Sequence, residues 1–96
     1  MTDKIPRTEK TPAEEEKFVM DFSDRLVRGE SISSITSTSV TPAGPSIDWT
    51  AIDGSELHLF MTGGTAETEY EVRGLVLIGP SGRTLEGIGI LNVVTR

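Results

Sequence analysis

Leu57, Leu59 and Met61 alternate with Glu56, His58 and Phe60 along the middle of the chain. A period of two sends successive side chains to opposite faces of a strand, so this segment predicts a strand with one face covered. The same pattern runs through residues 68–78: Tyr70, Val72, Gly74, Val76 and Ile78 share a face, while Glu69, Glu71 and Arg73 open the other. Gly79-Pro80-Ser81-Gly82 has the composition of a hairpin connection, and residues 83–95 follow as the last strand. Upstream, Phe18, Met20 and Phe22 alternate over residues 17–22. A helical reading competes there. Thr11-Pro12-Ala13-Glu14 has the form of a helix start, and Phe18, Phe22 and Leu26 lie four apart. Asp21, Ser23 and Asp24 are weak helix formers, which favours a strand followed by one helical turn at residues 23–27. Residues 31–40 are rich in β-branched side chains, and the spacing of Ile32 and Ile35 predicts two short strands meeting at a bulge or bend. Residues 46–50, with Ile47 and Trp49, form a further short strand. Pro42-Ala43-Gly44-Pro45, Asp53-Gly54 and Thr62-Gly63-Gly64-Thr65 read as loops and turns.

About seven short strands at turn intervals of roughly 8–12 residues indicate an all-β antiparallel sandwich or barrel. Residues 1–16 carry Ile5 and two prolines among many charges. They are expected to be a flexible N-terminal arm, either a loose tail or a segment that orders on a neighbour. Residues 17–96 are then the β-sandwich domain.

The last strand is apolar on both faces between Ile88 and Val94. A two-layer fold has no third layer to cover an outer face. Leu75, Leu77, Ile88 and Ile90 therefore form a candidate partner-docking set, and Phe18 is counted with them. The rival reading is partial cover by the arm or by the Phe18 segment.

Composition narrows the function. A chain of 96 residues is one domain with a thin core. Its net charge of −6 and scattered basic residues argue against a nucleic-acid partner. Cysteine is absent and His58 is the single histidine, so zinc and copper sites are not expected. No apolar run approaches the ~20 residues of a membrane span, and residues 1–10 are too polar for a secretory signal. A soluble protein without cofactors, made in the cytoplasm, is the expectation. Asp48, Asp53 and Glu56 cluster near a turn but match no calcium-loop spacing, and ordinary turn chemistry accounts for them. Gly87-Ile88-Gly89 lies inside a strand pattern and opens no helix, so it marks close backbone approach and not a nucleotide loop. Glu14-Glu15-Glu16 reads as a solvated charge run, and Trp49 reads more as core than as a platform. No nucleophile–base pairing stands out, so an enzyme is not expected.

The run from Gly63 to Val72 resembles the approach to the penultimate strand of immunoglobulin-like and fibronectin type III domains. In those folds a tyrosine near the strand start bonds back to the preceding corner. The resemblance gives Tyr70 that role, with Gly63 and Gly64 in the corner. A wider set is also informative. Phe22-Ser23-Asp24, Leu26, Gly29-Glu30-Ser31-Ile32, Thr62-Gly63-Gly64-Thr65, Tyr70-Glu71-Val72 and Ser81-Gly82-Arg83 occur in this order. Over about Lys10 to Val94 this set resembles the tailed-bacteriophage fiber–tail adaptor proteins, small virion components. The resemblance implies a small immunoglobulin-like sandwich in the virion tail. Such a chain would form a homo-oligomer in the particle and dock tail, head–tail or fiber proteins, with no nucleic-acid or membrane partner. A capsid decoration (cement) protein is the alternative. A carbohydrate-binding module would need an aromatic platform, for which Trp49 and Tyr70 are the available residues.

Overall fold

Phe18 and Met20 on one strand and Leu57, Leu59 and Met61 on the next are buried together, because a second sheet closes over them. The computed structural model describes residues 7–95. Its strands are β1 (Arg7–Lys10), β2 (Glu16–Asp21), β3 (Ser31–Thr41), β4 (Ser46–Asp53), β5 (Glu56–Thr62), β6 (Thr68–Gly79) and β7 (Thr84–Val93), with one 3-10 turn at Ser23–Arg25. Four strands make one sheet in the order β1-β7-β6-β3, and three make the other in the order β2-β5-β4. The core lies between them. Phe18, Met20, Leu57, Leu59 and Met61 come from one layer, and Tyr70, Val72, Val76, Ile78, Leu91 and Val93 from the other. Among the described residues no helix is long and apolar enough to cross a membrane.

Two elements differ from the sequence expectation, each for a physical reason. Residues 31–40 do not split into two strands: β3 is continuous and absorbs two register shifts, between Ile32 and Ser34 and between Ile35 and Ser37. In keeping with the favoured strand reading, Thr11-Pro12-Ala13-Glu14 starts no helix, and β2 is followed by the turn at Ser23–Arg25. The Thr11 N–H donates to Glu14 Oε1 at 2.7 Å and the Glu14 N–H to the Thr11 carbonyl at 3.2 Å, closing a single turn before β2. The second difference concerns the arm. Arg7 to Lys10 pairs in parallel with β7, from Arg7 opposite Ile90 to Lys10 opposite Val93. A parallel pair needs no crossover helix here, since its strands come from opposite ends of the chain. The arm boundary at residue 16 therefore does not hold for residues 7–10, and residues 1–6 of that arm lie outside the described residues. Hydropathy could not reveal β1, because the side chain it sends fully inside is a lysine. Lys10 Nζ donates to the carbonyls of Thr11 at 2.6 Å and Gly63 at 2.5 Å. Burial pushes its pKa down, while Glu14 and Tyr70 oppose that shift.

Gly74 and Gly87 sit opposite each other on β6 and β7, on the inner face. A Cβ at Gly87 would lie 2.7 Å from the Phe22 ring and 3.1 Å from Met20 Sδ. At Gly74 it would lie 2.8 Å from Leu57 Cδ2 and 3.1 Å from Met20 Sδ. The missing side chains are thus the space that Met20, Phe22 and Leu57 of the opposite layer occupy. The Phe22 ring is rigid and has no room to retreat, whereas the tips of Leu57 and Met20 can turn. Gly87→Ala is expected to destabilise the fold by about 1–3 kcal/mol, and Gly74→Ala by less. Urea denaturation of the two variants checks both the loss and its order.

Candidate docking surfaces

Strand register decides what each sheet shows to solvent. On the four-stranded sheet, Leu75 and Leu77 of β6 and Ile88 and Ile90 of β7 all point outward, opposite to the core set. Leu77 and Ile88 are each 36% exposed, and Leu75 and Ile90 are half-buried. The patch is not continuous. Leu75 faces Glu86, Ile88 faces Arg73 and Ile90 faces Glu71 across the ladder. Arg73 joins its neighbours, with Nε 2.9 Å from Glu71 Oε1 and Nη1 3.5 Å from Glu86 Oε1. The hydrogen bond to Glu71, and the charges of Glu71 and Glu86, raise the Arg73 pKa. Arg7 pairs with Glu69 at 3.1 Å on the same face. Phe18 does not belong to this surface. It is fully buried, opposite Leu59, because the alternation of β2 turns it to the core.

The three-stranded sheet carries on its outer face the tryptophan that the sequence reading placed inside, beside a phenylalanine whose alternation already set it opposite the core residues. Phe60 faces outward from β5, and Trp49 sits opposite it on β4. Their rings stack with centroids 3.7 Å apart and planes 3° from parallel. Trp49 is 53% exposed. The hairpin register holds the signal that finds this pair. A two-residue connection at Gly54-Ser55 pairs Asp53 with Glu56, and counting back puts Trp49 on the His58 and Phe60 face. Asp48, at the register shift between Ile47 and Trp49, is fixed by hydroxyls: Ser46 Oγ donates to Oδ1 at 2.9 Å and Thr62 Oγ1 to Oδ2 at 3.0 Å.

Polar ties hold the two ends of the sandwich. At one end Tyr70 is buried and its hydroxyl accepts the Thr65 N–H at 2.9 Å. That bond is the leading cause of a lowered Tyr70 pKa. Gly63 and Gly64 lie beside it at φ 81° and 96°. A side chain at Gly64 would be strained in that left-handed backbone, and its Cβ would meet Val93 Cγ2 at 2.8 Å. At the other end Glu30 accepts from Arg83 Nη2 at 2.5 Å, Arg83 Nε at 3.0 Å and the Val27 N–H at 2.8 Å, and also from Ser81 Oγ. This carboxylate ties the β2–β3 connection to the β6–β7 hairpin.

A family model described as podophage GP4 fiber-tail adaptor protein gp77 matches residues 10–87. The chain belongs to this fiber–tail adaptor family. No curated protein sequence matches it. The matched stretch includes Trp49, Phe60, Leu75 and Leu77, and ends just before Ile88 and Ile90.

The remaining polar clusters of this adaptor-family chain are accounted for by its fold. Asp53, Glu56 and His58 bring one ligand atom each within 4.8 Å of one another. Register alone does this, since Asp53 faces Glu56 and His58 is the next outward residue of β5. His58 Nε2 already lies 2.9 Å from Glu56 Oε1. An open depression of about 210 Å³ is lined by Glu9, Glu67, Glu69, Thr68, Asn92, Val93 and Val94. Two of its carboxylates have structural work: Glu69 pairs with Arg7, and Glu67 accepts the Thr95 N–H at 2.9 Å.

The Glu30 tie makes a pH prediction. Hydrogen bonds from Arg83, then Ser81 and Val27, lower the Glu30 pKa from 4.5 to about 2. In the window between those two values the unfolded chain binds the proton first. The stabilisation is therefore complete above pH 4.5 and is lost as pH falls towards about 2. Acid titration of unfolding should show a steeper loss in this window for the native chain than for Glu30→Gln, followed by circular dichroism.

Proposed function

We propose that the chain is a non-enzymatic structural component of a tailed-phage virion, placed in the tail, where it joins neighbouring tail, head–tail or fiber proteins as several copies. The family match over residues 10–87 carries this reading. The architecture supports it. Both sheets of a two-layer sandwich keep an outer face, and here each outer face retains partly uncovered apolar side chains. The strand partition also supports an immunoglobulin-like reading. With β3, β6 and β7 in one sheet and β2, β4 and β5 in the other, it follows the C, F, G and B, E, D division of that fold.

Leu75, Leu77, Ile88 and Ile90 are the proposed contacts on the four-stranded sheet. Their charged neighbours are bridged to one another, so covering the patch strands no single unpaired charge. Reconstruction of the parent particle tests the placement: density for this chain at the tail is expected, and density on capsid faces alone would instead establish the decoration reading. Leu77→Asp with Ile88→Asp should weaken uptake of the purified chain into tails by at least tenfold, about 1.4 kcal/mol, with unfolding little changed. Uptake equal to that of the native chain would remove this face from the interface.

A further inference from the structure

The opposite face has the chemistry of a second, different interface. Trp49 and Phe60 are its centre, flanked by Val19 and Ala51. Stacking on Phe60 fixes the indole ring before any partner arrives, so little side-chain freedom is lost when it is covered. A half-exposed, preorganised tryptophan is the kind of side chain that dominates binding energy when it enters an apolar recess. Carboxylates share its face, Asp48 beside it and the others at the hairpin end of the sheet. Asp21 on β2, Asp48 and Asp53 on β4 and Glu56 on β5 all lie on this face, with Lys17 the one Lys or Arg among the outward residues of its three strands. Asp48 is held in place by Ser46 and Thr62.

We infer that the outer face of the three-stranded sheet docks a basic surface of a different virion protein, with Trp49 seated in an apolar recess rimmed by that partner's lysines or arginines. Charge selects this occupant over a second copy of the chain. Two copies meeting through this face would press its carboxylates against their equals, in a chain whose net charge is already −6. The inference rests on the adaptor reading and deepens it, since a joining protein needs two faces that recognise different neighbours.

The test uses particles assembled without this chain and the purified full-length chain carrying a photo-crosslinking residue at exposed Lys17. Cross-links are expected to lysine- or arginine-bearing peptides of another virion protein. Trp49→Ser should reduce uptake by tenfold or more. The combined Asp48→Asn, Asp53→Asn, Glu56→Gln variant leaves the aromatic packing alone. It should also reduce uptake and flatten its dependence on salt. Thermal unfolding of each variant separates lost docking from lost folding. Cross-links between two copies of the chain would overturn the proposal, as would cross-links to a glycan, or full uptake by a folded Trp49→Ser chain with unchanged salt dependence. Placement on the capsid with the same basic cross-linked peptides would refute the tail reading while supporting this docking face. Tail placement indifferent to Trp49 and to the three acids would do the reverse.

Discussion

The packing between the two sheets depends on Gly74 and Gly87, which face each other without side chains. Into that gap reach Phe22, Met20 and Leu57 from the other layer, at separations that a single added carbon would violate. Close approach lets a chain of 96 residues bury aromatic and long aliphatic side chains in one continuous core. It also makes the molecule thin. With one layer of side chains between two sheets, no further element among the described residues shields the outer faces.

Alternation made much of this legible. The inward sets of β5 and β6 could be read directly, because period two admits one assignment once a core face is chosen; β7, apolar on both faces, left two assignments open, and only its register with β6 turns Ile88 and Ile90 outward. Phe18 does not belong in the docking set in which the sequence reading counts it, because its alternation with Met20 points it inward. β1 was invisible for a different reason. Its inward end is Lys10, whose burial depends on carbonyls of Thr11 and Gly63 that only the folded chain brings to it. Trp49 was lost to a compositional preference. Tryptophan is usually well buried, and that tendency outweighed the hairpin register, which places it on the outer face with His58 and Phe60.

Stability and recognition occupy separate parts of the molecule. The strong polar ties lie at the ends: Glu30 with Arg83 and Ser81 at one, Lys10 with Gly63 and Tyr70 with Thr65 at the other. They fasten loops that the core does not hold. The faces between are built from regular ladders whose outward side chains contribute little to closing the sandwich. If these faces are the docking surfaces proposed above, substitution there changes what is bound while the fold persists.

The two faces are also unlike each other, and the difference bears on orientation. On the four-stranded sheet the carboxylates at Glu69, Glu71 and Glu86 are bridged to Arg7 and Arg73, so its aliphatic side chains sit in a locally balanced field. On the three-stranded sheet an aromatic pair shares its face with Asp48 and, at the hairpin end, Asp21, Asp53 and Glu56, the last hydrogen-bonded to His58. A neighbour with a neutral apolar surface gains on the first face and would strand carboxylates on the second. A basic neighbour gains on the second and finds no free acid on the bridged ladder of the first. Exchanging the partners would leave charge unpaired at both contacts, a cost of several kcal/mol where such groups are buried. On the proposed docking of both faces, the chain would therefore be inserted between two different proteins in only one direction, without any moving part.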